Sequence, residues 1–238
     1  MTFGLRTTTD TGATQIDGEH AALNLVYATT WTTPTISPDN YNNGRGTAEF
    51  VWYGWTESGF IPSQYLTDEH VFVTRCTTAH AACISISGYW GQNDLRLRMA
   101  VIAIDYPDNA QHDVEIYVFK AVSRNITGFG LKVWDGNSKL AYSSGDNPLW
   151  VTSVTAFADA DALIPAGVQK AAVMTNFTRF INGGDAGAGF VFAPNTFRCL
   201  PDRIKSSRLI PLNSSNVGAL TGNYTIVDVG NCPIPFGA

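Results

Sequence analysis

Apolar residues recur at every second position in short runs along almost the whole chain, the periodicity of strands with one buried face. In the first long run Leu23, Leu25 and Tyr27 alternate with Ala22, Asn24 and Val26. Val71 and Val73, then Ile84 and Ile86, then Leu95, Leu97, Met99 and Val101 repeat the pattern and predict strands over 71–75, 83–87 and 95–104. The strongest run is 113–122, where Val114, Ile116 and Val118 face one way. Further strands are predicted from Leu149 onward and over 172–181, 189–193, 204–212 and 224–229, with breaks at Gly183-Gly184, Pro194-Asn195, Pro201-Asp202 and 213–216. The sole helical candidate, 156–172, is interrupted by Pro165 and Gly167, and a proline inside a helix removes a hydrogen bond and clashes with the turn before it. The pattern predicts an all-β protein of antiparallel β-sandwich modules, jelly-roll or Ig-like, with at most one short helix.

Within 128–144, Leu131, Val133, Leu140 and Tyr142 alternate with Lys132, Lys139, Ala141 and Ser143 around Asp135-Gly136-Asn137. Gly and Asn tolerate positive φ, so the stretch predicts a β-hairpin. A similar phrase opens the chain: Phe3-Gly4-Leu5-Arg6, Asp10-Thr11-Gly12 and Gln15-Ile16-Asp17 line up with Phe129-Gly130-Leu131-Lys132, Asp135-Gly136-Asn137 and Leu140-Ala141-Tyr142. Two copies of one hairpin device are expected. Residues 1–155 are read as a module carrying the N-terminal hairpin, and 156–238 as a second β-rich module or an extension of the same domain. The segment 232–238 contains Pro233 and Pro235 and cannot continue a sheet interior, so it is expected along the surface or docked on a neighbour.

Composition sharpens the fold class and narrows the chemistry. Hydrophobic residues make up 45% of the chain and charged residues only 15%, which suits strands better than exposed helices held by charged pairs. A formal net charge of −5 without a basic stripe argues against nucleic acid, whose binding needs clustered Lys and Arg. The start, Met1-Thr2-Phe3-Gly4, is followed within a few residues by polar sequence, so a protein made and used without export, and with no membrane insertion, is expected. The four cysteines, Cys76, Cys83, Cys199 and Cys232, form no Cys-x-x-Cys pair and have no histidine at ligand spacing, which speaks against zinc. Cys76 and Cys83 flank a short segment and are candidates to sit across a hairpin mouth, although reduced thiols are the default in a cytosolic setting.

No nucleophile elbow, P-loop, dinucleotide fingerprint or His-Glu-x-x-His motif occurs. His20, His70, His80 and His112 stand singly, and Asp10, Asp94, Asp108, Asp135 and Asp146 sit at predicted turns where a carboxylate caps its own backbone. Asp135-Gly136-Asn137 and Asp159-Ala160-Asp161 lack the spacing and closing Glu of a calcium loop. No catalytic residue, metal or cofactor is assigned; two carboxylates joined by the fold are the one remaining route to glycan hydrolysis. The candidate binding residues are aromatic. Trp52, Tyr53 and Trp55 beside Gly54, and Tyr89 with Trp90 at a turn, serve either as core or as a platform for a sugar or partner protein. The preceding loop, 32–45, is rich in Pro and Asn and longer than a plain connection needs.

With these residues laid out, Phe3-Gly4-Leu5-Arg6 with Gln15-Ile16-Asp17, and Tyr117-Val118-Phe119 followed by 128–135, Leu140-Ala141-Tyr142-Ser143-Ser144 and Pro148-Leu149-Trp150-Val151, resemble a largely uncharacterised family of tailed-bacteriophage proteins from the tail genes of siphophages and prophages. The chain departs from the family phrase at Tyr142-Ser143-Ser144, where Phe-Asp-Ser stands in the family, and the resemblance ends near Ala156. It implies a virion tail component of the tip or baseplate, contacting other tail proteins, homo-oligomeric in the virion, and supplies no catalytic residue. The alternatives are a receptor- or carbohydrate-binding tail protein that contacts the host cell surface and, further off, a glycan-degrading tail enzyme.

Overall fold

The computed structural model describes residues 7–8, 14–16, 22–33, 51–55, 61–65, 67, 69–86, 96–102, 110–122, 131–134, 138, 140–143, 145–156, 161–175, 178–181, 191–208 and 223–237. Nearly all of the described chain is strand or turn, and one 3-10 turn at Ser63–Tyr65 is its only helical piece. The weak helical signal over 156–172 resolves instead into a two-residue strand and a turn in which Gly167 takes a φ of +90°, where a β-carbon would be strained.

Six strands form sheet I. In spatial order they are β11 (Trp150–Ala156), β17 (Asn223–Asp228), β13 (Ala171–Thr175), β5 (His70–Arg75), β8 (Asp113–Ala121) and β3 (Leu23–Thr32). Sheet II runs β12 (Ala162–Leu163), β16 (Arg203–Arg208), β15 (Val191–Cys199), β6 (His80–Ile86), β7 (Arg96–Ile102) and β4 (Val51–Trp55), and β14 (Thr178–Ile181) pairs with the first half of β15. All described pairings are antiparallel. Strands from both sides of residue 155 contribute to each sheet. Two short hairpins stand apart from these sheets: β1 (Thr7–Thr8) with β2 (Thr14–Ile16), and β9 (Lys132–Trp134) with β10 (Leu140–Ser143). The turn residues Asp135-Gly136-Asn137 and the tetrapeptide at Phe3 lie outside the described residues.

The core follows from the parity of each strand. On β8, Val114, Ile116 and Val118 point into the layer between the sheets, where they meet Phe72, Cys76, Ala79 and Ala81. Further along that layer Val173, Tyr224 and Ile226 meet Phe197, Cys199 and Ile204 of sheet II. The intervening residues of sheet I, among them Leu25, Val73, Tyr117, Phe119, Ala172 and Val227, build a second core on its other face. Sheet I is therefore apolar on both sides. β3 keeps both cores filled through a bulge: its register slips between Leu25 and Tyr27, so Val26 and Tyr27 both serve the inter-sheet layer while Leu25 and Ala28 serve the other.

The second core is covered by two other segments of the chain, 147–149 and 232–237. The segment 147–149 pairs with β3, through Leu25 N–H to Asn147 O (2.9 Å) and Leu149 N–H to Leu23 O (2.7 Å), and the next residue, Trp150, is already opposite Asp228 of β17. One continuous segment thus pairs first with β3 and then, as β11, with β17. Followed through the register of the sheet, however, Asp228 is level with the far, Trp31 end of β3. Meeting the Leu23 end instead requires staggered, coiled strands, as in a barrel wall. Residues 232–237 complete the cover. Cys232, Ile234 and Phe236 pack on the second core, Ala28 and Phe236 exchange two backbone hydrogen bonds (3.0 and 2.9 Å), and the Tyr65 hydroxyl donates to Gly237 O (3.1 Å). This terminal strap therefore docks on its own chain as an edge partner of β3, in the one kind of place where its two prolines are tolerated.

Two local expectations are corrected. Pro194 does not end a strand but lies inside β15, at the point where its partner changes from β14 to β16; a proline is accepted where the ladder is already being exchanged. In the central hairpin, Leu140 is opposite Trp134 and Tyr142 opposite Val133 because the register slips between them. Leu131, Val133, Leu140 and Tyr142 consequently do not share a single face, and Leu131 and Trp134 are each more than half exposed (54% and 53%).

Candidate functional site

Of the five aromatic candidates, Trp52, Tyr53 and Trp55 lie on β4 at one end of sheet II, in register with Val101, Ala100 and Arg98 of β7. Tyr89 and Trp90 lie outside the described residues, as does most of the loop over 32–45.

The densest charged chemistry is at one end of the second core. Arg75 and Glu115 are cross-strand partners on β5 and β8, and Tyr117, two residues along, shares their face. Glu115 accepts from Arg75 at 3.2 Å, from Lys170 at 2.9 Å and from the Tyr117 hydroxyl at 2.7 Å, while the Lys170 ammonium lies 5.7 Å from the centre of the Tyr117 ring. Burial, then the adjacent Glu115 carboxylate, raises the Tyr117 hydroxyl far above its ordinary pKa, so it remains a neutral donor. Asp228 accepts the backbone N–H groups of Gln169 and Lys170 (3.0 Å each) and of Gly230 (2.9 Å), fastening the entry to β13 and the root of the strap. A β-carbon on Gly230 would lie 2.6 Å from Gln169 Cβ, which accounts for glycine there. Each side chain in this cluster has a structural partner, while the buried Arg75 Nε has no hydrogen-bond partner of its own among the described residues. The cluster closes the core and presents no activated nucleophile.

The described thiols and histidines are likewise quiet. Burial pushes the Cys199 thiol up to about 12 and the Cys232 thiol up to about 11, keeping both protonated at neutral pH. Among the described residues, no three His, Cys, Asp or Glu side chains are grouped to hold a metal ion. His112 is buried, with its Nδ1 3.0 Å from Thr78 Oγ1, and its pKa is lowered first by burial and then by Arg198, against an opposing effect of Asp113. His70 is lowered by burial and by Lys120, with Glu69 acting in the opposite direction. The unfolded chain therefore takes up protons first as pH falls through about 6.5, so stability is full above this range and declines below it until the folded imidazoles also protonate. The urea midpoint is expected to fall between about pH 7.5 and pH 5.5, and to fall less in His112→Gln; an unchanged slope in that variant would contradict the assignment to His112.

The feature not singled out in the sequence is the outer strand β11. Its residues, Trp150 to Ala156, carry no charge. Its register slips between Val151 and Ser153, and the bulged Thr152 donates its hydroxyl to Ile226 O at 2.8 Å. The slip leaves Val151 opposite Val227 and Val154 opposite Thr225, both on the second-core face of sheet I. Both are nevertheless exposed, Val154 to 62%, as is Trp150 on the same strand. Among the described residues β11 pairs only with β17. Strand edges of natural proteins are usually guarded by charge or proline; β3 is guarded in this way by Pro148 and the strap, and β11 carries neither. An uncharged, β-branched heptapeptide was the available signal, obscured because alternation alone does not distinguish an edge strand from an inner one.

No protein-family model, curated protein or solved structure matches the chain.

Proposed function

We propose that this protein is a structural subunit of a bacteriophage tail, at the tip or baseplate, acting by assembly with other tail proteins and with copies of itself. The observation that carries the proposal is β11, an outer strand with no charge and with Val151, Val154 and Trp150 exposed. Apolar side chains gathered on a solvent-facing strand mark contact surfaces. The phage-tail setting itself rests on the resemblance of the N-terminal phrase and of 117–151, a stretch that includes the start of β11. One strand offers less area than a standard interface, so such a subunit would depend on repeated contacts in a symmetric assembly.

Because Val151 and Val154 are exposed, replacing both by Asp should leave stability within about 0.5 kcal/mol of wild type. The double variant is expected to melt normally yet enter tails at least about tenfold less well, since two buried charges weaken an interface by well over 1.4 kcal/mol. Normal incorporation would exclude β11 as the assembly surface. Loss of adsorption with normal incorporation in Trp55→Ala would instead favour a host-surface or glycan-binding tail protein.

A further inference from the structure

The backbones of two of the four cysteines meet at the crossover between the sheets, in a pairing that sequence spacing does not suggest. Cys76 directly follows β5 and begins the turn leading to β6; Cys199 ends β15. The Cys199 N–H donates to Cys76 O at 2.8 Å. Residues bonded in this way have Cα atoms about 5–6 Å apart, inside the range that a disulfide spans. Both side chains are buried in the layer between the sheets, Cys76 with Ala79, Ala81, Val114 and Ile116, and Cys199 with Phe197 and Ile204. Cys232 lies in the other core, across sheet I, and Cys83 is on β6 in register with Met99. Cys76 and Cys199 are free thiols here: Cys76 Sγ accepts the Ala79 N–H at 3.3 Å and lies 3.7 Å from Thr78 Oγ1.

We propose that Cys76 and Cys199 are the site of an oxidative staple: on exposure to a disulfide oxidant such as oxidised glutathione, they form an intramolecular disulfide that ties the β5–β6 crossover of sheet I to β15 of sheet II. The Cys76 thiolate attacks one glutathione sulfur, giving a mixed disulfide and releasing one reduced glutathione. The Cys199 thiolate then displaces the second glutathione, so two protein thiols are oxidised and one glutathione disulfide is reduced. Rotation about the Cys76 Cα–Cβ bond gives up its contacts with Ala79 and Thr78, both weak because sulfur is a poor acceptor. Both thiols are buried, so exchange runs through opening of the turn at 77–79 and is slow in the closed molecule. The bond would join residues far apart in sequence, where a cross-link restricts the unfolded chain most.

The full chain is incubated with oxidised glutathione in urea below the unfolding midpoint, alkylated, and mapped without reduction. The expected product is lighter by about 2 Da, contains a Cys76–Cys199 linked peptide, and melts about 5–10 °C higher than the reduced chain. Cys232→Ser should retain the increase; Cys76→Ser and Cys199→Ser should lose it. Linkage to Cys83 or Cys232, persistent glutathione adducts, or two alkylatable thiols at 76 and 199 after oxidation would overturn the proposal. Peptide mapping of the unmodified chain decides the matter even if a serine variant fails to fold.

Discussion

Deleting residues 231–238 should destabilise the protein by about 3–5 kcal/mol, the combined loss of apolar burial and hydrogen bonds made by the strap. Cys232, Ile234 and Phe236 would leave the second core, and Ala28 would lose both backbone bonds to Phe236. The free middle of β3 would then resemble an unguarded edge, so the truncated chain should also aggregate more readily on refolding. Urea denaturation of the two chains measures the difference. Gly237→Ala is the finer version of the test: Gly237 has a φ of +74°, and a β-carbon there would approach Val26 O to 2.4 Å. It should cost about 1–2 kcal/mol by lifting only the end of the strap. A truncation with an unchanged midpoint would show that the strap is not part of the folded unit.

Phe119→Ala should cost about 3–5 kcal/mol and lower the melting temperature by roughly 10 °C. Phe119 is fully buried in the second core and stands in register with Leu25 on β3 and Val71 on β5. Its neighbours belong to strands pinned on both sides, so the cavity has little freedom to collapse. Leu163→Ala supplies the contrast. Leu163 is 74% exposed at the end of sheet II, and its truncation should stay within about 0.5 kcal/mol. Similar losses at the two positions would contradict a second core built on sheet I.

The strands were legible wherever apolar residues recurred at every second position. On β8 the alternation of Val114, Ile116 and Val118 named the inter-sheet face directly. Tyr117 and Phe119, between and beyond them, fall on the opposite face, and the sequence gives no sign that it too is buried, because a sheet packed on both sides blurs the alternation of apolar and polar positions. Partners were less legible than strands. The run over 172–181 is two strands in different sheets, β13 and β14, and no local property marks a crossing between layers. The slips at Val26 and Thr152 move side chains from one face to the other, which a strict period of two cannot anticipate. The prolines of the strap correctly excluded a sheet interior, but its place on β3 depends on contacts more than 190 residues away in the chain. As for the candidate site, large aromatics drew attention to β4 and to residues 89–90, whereas the exposed apolar strand is made, apart from Trp150, of Val, Thr, Ser and Ala, whose significance appears only with their exposure.

The proposed tail role is tested most directly by quantitative mass spectrometry of virions produced from the genome that encodes this chain, with tails separated from heads. Peptides of this chain should occur in the tail fraction at a fixed ratio to other tail proteins, and the Val151→Asp, Val154→Asp double variant should deplete them without lowering the amount in the lysate. Finding the chain only in the soluble lysate, with none in purified tails, would contradict the proposed role as a tail subunit.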